Sequence, residues 1–198
     1  MPTASATSKI RQSRARLAPG ARGLELGLEV RAPDGSTILT AGGLWDRDEL
    51  AYESSGTPHI ITLVSSQVRA ALQLAQWFLA YERDDPDRQA LEVYVDNRRG
   101  GKTFFSVLAI LLFAIRYPDC HLGKTICWLV VPTFPQQREL HEIIAKVLPA
   151  AWFRDRRIVY HKSEKYYTLA NGAEIWIKSA DRPQSLKAGG VAAVAVNE

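Results

Sequence analysis

The sequence has little of what several classes of protein depend on. It contains two cysteines, Cys120 and Cys127, and their separation of seven positions fits no zinc or redox motif. We therefore expect two thiols in a reducing compartment. No two of the four histidines stand at ligand spacing, so we expect no metal site built by the protein alone.

Long apolar runs are also missing. The longest covers residues 104–115 and is interrupted by Ser106, whereas a membrane-spanning helix needs about 20 apolar residues. We expect no association with a membrane. The first 24 residues contain five basic residues and no acid. This pattern resembles an organelle transit peptide, but we interpret it as a disordered basic tail.

The remaining composition is that of a globular protein, with 46% hydrophobic and 23% charged residues among 198. This length allows one sizeable domain, alone or with an appendage. The net charge of +4 permits contact with nucleic acid without demonstrating it.

The order of the predicted elements indicates an α/β fold. Residues 25–64 predict a small β-rich appendage with a hairpin at Asp34-Gly35, and residues 65–198 predict the main domain. In that domain, helical spacing covers residues 65–83, 103–116 and 135–147. Apolar strands are predicted at 91–95, 124–134 and 191–196, with three short strands between residues 157 and 179. Asn171-Gly172 predicts a type I′ hairpin turn. We expect a mostly parallel sheet flanked by helices and incomplete at its C-terminal side.

A phosphate-binding loop is indicated by "VDNRRGGKT", residues 95–103, between a predicted strand and a predicted helix. Gly100 and Gly101 would let the backbone approach an anion at the start of the helix. Lys102 would reach the β and γ phosphates, and the hydroxyl of Thr103 would bind Mg²⁺. Asp96 stands where the usual pattern has its first glycine, so an ordinary strand-to-helix turn is the alternative.

The end of the chain matches a second requirement of an ATPase. The apolar strand "VAAVAV" is followed by Asn197 and Glu198. Glu198 would act as the general base that polarises the attacking water. Asn197 stands at the position where an aspartate would orient the Mg²⁺ shell.

Residues 60–198 resemble the ATPase domain of the large terminase subunit, the DNA-packaging motor of tailed bacteriophages. The resemblance rests on "VDNRRGGKT", on "VVPTFPQQRELHEII" and on "LANGAEIWIKSADRPQSLKAGGVAAVAVNE". It implies a P-loop NTPase core that binds ATP and Mg²⁺ and couples ATP hydrolysis to the movement of double-stranded DNA into a procapsid. The implied partners are DNA, a portal protein, a small terminase subunit and further copies of the chain in a ring. The implied location is the cytoplasm of an infected bacterium.

The resemblance also implies roles for individual residues. Lys102 and Thr103 match the phosphate and Mg²⁺ residues, Arg98 matches an arginine near the γ-phosphate, and Glu198 matches the catalytic glutamate. Gln67 stands where the family often has a glutamine that reads adenine, and an exposed helix glutamine is the alternative for it. Four basic residues are candidates for DNA contact, with a solvated charged face as the alternative: Lys162, Lys165, Arg182 and Lys187.

Two other functions stay open. One is another nucleic-acid translocase or helicase with the same core. The other is a nucleotide-binding scaffold protein that does not hydrolyse ATP, which Asn197 favours.

Overall fold

The computed structural model describes the larger part of the chain. The described residues are 26–41, 44–46, 51–53, 58–83, 101–117, 124–181, 183–186 and 190–197. The helices are α1 (Ser65–Glu82), α2 (Lys102–Arg116), α3 (Gln137–Val147) and α4 (Ala150–Arg154). The first five strands are β1 (Leu28–Arg31), β2 (Thr37–Ala41), β3 (Leu44–Asp46), β4 (Ala51–Glu53) and β5 (His59–Thr62). The others are β6 (Ile126–Val131), β7 (Ile158–His161), β8 (Tyr166–Leu169), β9 (Glu174–Ser179) and β10 (Ala193–Val196).

A five-stranded sheet forms the larger layer, in the order β10-β6-β9-β8-β7. β10 and β9 both pair with β6 in parallel, whereas β8 pairs with β9 and with β7 in antiparallel fashion. The prediction of an α/β fold is confirmed, but the prediction of a mostly parallel sheet is wrong because the sheet is mixed. The physical reason is that the connections from β7 to β8 and from β8 to β9 are short. A tight turn must reverse the chain, whereas parallel neighbours need a long crossover.

The turn between β8 and β9 also differs from the predicted type. A type I′ turn requires a positive φ at both central residues, but Asn171 is not among the residues with positive φ. Instead the amide of Gly172 donates to the carbonyl of Leu169, and Gly172 alone has a φ of 88°. This is a three-residue loop in which the glycine takes the left-handed position after a tight turn.

A three-stranded sheet packs on the opposite side of α2. Its order is β2-β1-β5, with β2 antiparallel and β5 parallel to β1, so this sheet is mixed as well. β3 and β4 form a separate antiparallel pair. Both α1 and α2 contact β2, and Leu28, Val30 and Leu39 belong to the same apolar cluster as the side chains of α2.

Helix α2 is the centre of the core. Nine of its fifteen residues are buried, and it contacts β2 on one side and β10, β6 and β9 on the other. A helix that is apolar almost all round is stable only when it is covered on most sides. Its position between the two sheets satisfies that requirement. None of the described helices is long and apolar enough to cross a membrane.

Two side chains fix the direction of α2. The Asn171 amide donates to the carbonyls of Ala114 and Ile115, and the Thr125 hydroxyl donates to the carbonyl of Tyr117. Asn171 precedes β9 and Thr125 precedes β6, so the C-terminus of α2 lies at the amino ends of both strands. Fifteen helical residues span about 22 Å, and the six residues of β6 span about 20 Å. The N-terminus of α2 therefore lies at the carboxyl ends of the parallel strands.

A buried ion pair joins the C-terminal ends of α1 and α2. The Arg116 Nε lies 2.6 Å from the Glu82 carboxylate, and another Arg116 N–H donates to the carbonyl of Thr40. The Tyr117 hydroxyl also donates to Glu82. Burial raises the pKa of Tyr117 well above its ordinary value, and the charge of Glu82 raises it further, so the hydroxyl keeps its proton.

We expect Arg116→Met to lower the free energy of unfolding by about 3 kcal/mol, because it leaves the Glu82 carboxylate buried without its cation. Urea denaturation measures the loss. Arg138 provides the matched control because it pairs with Glu142 on the surface of α3, with its side chain 87% exposed. Arg138→Met should hardly change stability. Equal losses for the two variants would contradict a structural role for the buried pair.

Candidate functional site

The start of α2 has the geometry of an anion site. Gly101 precedes the helix with φ 78° and ψ 25°, which is the left-handed conformation, and a glycine has no side chain with which to cap the first turn. The first backbone N–H groups of a helix have no partner within the helix and carry partial positive charge. Lys102 and Thr103 are the first two helical residues, and both are partly exposed.

Gln67 lies against this helix start. A Cβ placed on Gly101 would lie 2.4 Å from the Gln67 Nε2, well inside van der Waals contact. Gln67 belongs to the first turn of α1 and is 7% exposed. Its Oε1 accepts a long hydrogen bond of 3.4 Å from the amide of Val64. The structure therefore has a buried glutamine at the loop end rather than an exposed one, and glycine at position 101 leaves room for it.

Asn197 follows β10 at the same edge of the sheet. Its backbone N–H donates to the carbonyl of Val130, which extends the pairing of β10 with β6. Ala193 and Ala195 pack against the core on the side of α2, whereas Val194 and Val196 are exposed on the other face. Because side chains alternate along a strand, Asn197 continues the face that meets α2.

The side chain of Asn197 is buried with an unpaired donor. The residue is 7% exposed, and within the described part of the chain its Nδ2 has no acceptor. A buried polar group without a partner costs about 1–3 kcal/mol. A ligand that brings a hydrogen-bond acceptor to this edge would remove that cost.

The structure thus brings part of the predicted site to one edge. Gln67, Gly101, Lys102, Thr103 and Asn197 belong to three elements that meet at the carboxyl ends of β6 and β10. In open α/β sheets, ligands bind outside the carboxyl ends of the strands. The other predicted site residues, together with Asp96, lie outside the described residues: Arg98, Gly100 and Glu198.

The predicted Mg²⁺ residues do not form a good cation site by themselves. Mg²⁺ prefers carboxylate oxygens and water in near-octahedral geometry. Thr103 offers a hydroxyl, and Asn197 offers a neutral amide. Within the described ranges, no cluster of three histidine, cysteine or acidic residues is placed to hold a metal ion. The described donors fit an anion better than a cation.

A second group of polar residues at this edge was not recognised from the sequence. Asp181 accepts hydrogen bonds from the Ser179 hydroxyl and from the Phe134 amide. It thereby ties the segment after β9 to the segment after β6. The signal in the sequence is an acid two positions after a buried strand, which is too common to be specific.

The candidate DNA residues fall into two groups. The Lys165 ammonium donates to Gln137 and lies 3.3 Å from the centre of the Phe134 ring, so this lysine has partners within the protein. Lys162 is exposed, and Arg182 and Lys187 lie outside the described residues. Burial lowers the pKa of the neighbouring His141, and the charge of Lys165 lowers it further.

We expect Gly101→Ala to destabilise the protein more than Gly172→Ala does. Both glycines have a positive φ, which costs other residues about 1–2 kcal/mol. A Cβ on Gly172 meets nothing within 4 Å, whereas a Cβ on Gly101 meets Gln67. Thermal and urea denaturation measure both losses.

A double-mutant cycle isolates the contact with Gln67. The double variant Gln67→Ala/Gly101→Ala should be more stable than the sum of the two single losses indicates, by at least about 1 kcal/mol. Additive losses would show that the Gln67 amide does not fill the space beside Gly101.

Comparison of the chain with protein-family models, with curated protein sequences and with solved structures gives no match.

Proposed function

We propose that this chain is the ATPase part of a DNA-packaging motor of the large terminase type, with a P-loop NTPase core that binds ATP at the start of α2. The observation that carries the proposal is the left-handed Gly101 at the N-terminus of a buried helix. That helix begins at the carboxyl ends of parallel strands, and Lys102 follows the glycine directly. Each of these features serves phosphate binding.

The phosphates would be held by backbone and side chain together. The N–H groups of the first turn of α2 would donate to phosphate oxygens, and the Lys102 ammonium would add a full positive charge. A Cβ at position 101 would fill space that the Gln67 amide occupies. Glycine at position 101 therefore lets the Gln67 amide lie directly beside the proposed phosphate site.

Recognition of the base is proposed for Gln67. Its amide carries a donor and an acceptor, the combination that the edge of adenine requires. Its position beside Gly101 supports this role because base and phosphates of one nucleotide would then contact neighbouring residues. The long bond between Val64 and the Gln67 Oε1 is weak enough to be exchanged for one to a base.

The motor function follows from the resemblance of residues 60–198 and extends the nucleotide site. In this proposal Glu198 activates the attacking water, Arg98 lies near the γ-phosphate, and ATP turnover drives the movement of double-stranded DNA. The net charge of +4 suits contact with DNA phosphates. A portal protein, a small terminase subunit and a ring of identical chains are the proposed partners, in the cytoplasm of an infected bacterium.

A nucleotide-binding protein that does not hydrolyse ATP is the second candidate. The observation that favours it is the unpaired Nδ2 of Asn197 at the end of β10. An amide at this position carries no charge, so it cannot replace an aspartate in orienting a hydrated cation. Both candidates require ATP binding, and they differ in turnover.

The test of the nucleotide site is the variant Lys102→Ala. It removes a positive charge from the phosphates, so we expect ATP affinity to fall at least about tenfold, which corresponds to roughly 1.4 kcal/mol. Isothermal titration calorimetry measures it. Lys146→Ala removes an exposed lysine from the last turn of α3 and should leave affinity unchanged. Equal ATP affinity for folded wild-type protein and Lys102→Ala would reject the site.

Phosphate release distinguishes the two candidates. We expect the wild-type chain to bind ATP but release phosphate slowly, and Asn197→Asp to raise the rate by about tenfold or more. Duplex DNA of any sequence should raise the rate further in a motor, and added salt should suppress that effect. No release by either protein, with ATP bound, would favour the scaffold. Brisk release by the wild type that Asn197→Asp leaves unchanged would show that Asn197 does not hold the metal-orienting position.

A further inference from the structure

We propose that the site at the start of α2 binds the phosphates of a nucleotide without a divalent cation, and that Asn197 donates a hydrogen bond to the bound phosphate. This inference rests on the proposed nucleotide site and specifies what that site recognises. Its ligand class is a metal-free nucleoside polyphosphate. It replaces the expectation that Thr103 and Asn197 bind Mg²⁺.

Asn197 has a fixed position at the end of β10. Pairing with Val130 fixes its backbone at the end of β10, and strand alternation turns its side chain toward the layer of α2. The residue is only 7% exposed, which leaves its side chain little access to solvent. Its Nδ2 has no acceptor among the residues that the structure describes. A phosphate oxygen at the helix start would supply that acceptor.

The neutral side chain of Asn197 also favours a site without a divalent cation. An amide has no formal charge in either orientation of its oxygen and nitrogen, so Asn197 adds nothing that a dication would neutralise. An aspartate at this position would repel phosphate unless a cation lay between the two groups. With asparagine that repulsion is absent, so this position does not call for an intervening cation.

Groups of this chain already compensate part of the negative charge of the phosphates. The N-terminus of α2 carries the equivalent of about half a positive charge. Lys102 adds a full charge, and Asn197 adds a donor. Phosphate bound at a helix N-terminus is stabilised by such groups without a metal ion.

The test compares ATP binding in excess EDTA with ATP binding in excess Mg²⁺, by calorimetry on the full chain. We expect the two dissociation constants of the wild type to agree within about threefold. Asn197→Asp should weaken binding in EDTA by at least about tenfold, and Mg²⁺ should restore most of the loss. The variant thus acquires the cation dependence that the wild type lacks.

Gln73→Glu is the matched control. It makes the same change from amide to carboxylate at an exposed position of α1. It should leave ATP affinity in EDTA and the ratio of the two constants as in the wild type. Thermal denaturation of each variant shows that the proteins compared are folded, and the wild-type comparison alone remains decisive if Asn197→Asp does not fold.

The outcomes separate this inference from the proposed function. Wild-type binding that requires Mg²⁺ would overturn the inference and leave the nucleotide site standing. No ATP binding in either buffer would overturn the nucleotide site itself. If Gln73→Glu also lowered ATP affinity in EDTA tenfold, the weaker binding of Asn197→Asp would be due to net charge rather than to position 197. That result would overturn the inference as well.

Discussion

The burial of α2 between two sheets is the constraint on which the rest of the structure depends. Nine of its fifteen residues are buried, and its last carbonyls are held by Asn171 and Thr125 at the amino ends of β9 and β6. A helix packed on both sides cannot shift without opening cavities, and each large apolar side chain that loses its neighbours costs about 2–5 kcal/mol. The position of the first turn is therefore set by the sheet and needs no ligand to establish it.

The candidate site at this first turn is richer in hydrogen-bond donors and positive charge than in acceptors. The Gln67 amide and the Thr103 hydroxyl can both donate and accept, and Asp181 accepts at the same edge. Three groups only donate or carry positive charge: the N–H groups after Gly101, the Lys102 ammonium and the Nδ2 of Asn197. Asn197 belongs to this set because its backbone completes a ladder bond to Val130, which prevents its side chain from leaving the edge. A set of donors selects an anion before any question of catalysis arises. Binding and turnover are therefore separate parts of the proposed function, and the described geometry concerns the proposed binding.

Sequence patterns predict the elements better than their arrangement. The predicted helices 65–83 and 103–116 differ from α1 and α2 by one residue at one end, because long periodic apolar runs have few alternative packings. The hairpin of β8 with β9 was predicted correctly, but the antiparallel pairing of β7 with β8 was not predicted, because periodicity says nothing about which neighbour a short strand will choose. The turn at Asn171 was mistaken for a related reason. Its amide binds two carbonyls of α2, a tertiary contact that overrides the local preference of Asn-Gly.

At the candidate site too, local features could be predicted from the sequence, whereas features that depend on tertiary packing could not. The left-handed Gly101 could be predicted because only glycine adopts that conformation readily before a helix. The burial of Gln67 against it could not be predicted, because it depends on how α1 packs beside α2. The unpaired donor of Asn197 likewise appears only when β10 is paired and covered.

The packing of α1 beside α2 couples a contact at the N-terminal ends of the two helices to a contact at their C-terminal ends. Gln67 meets Gly101 at the N-terminal ends, and Glu82 binds Arg116 at the C-terminal ends. Fifteen residues separate Gln67 from Glu82, and fifteen separate Gly101 from Arg116, so both contacts are about 22 Å apart along their helices. The two helices are thus parallel and in register. Sliding one by a single turn, about 5.4 Å, would break both contacts at once. The buried ion pair therefore helps to hold the Gln67 amide at the site, although it lies at the opposite edge of the sheet.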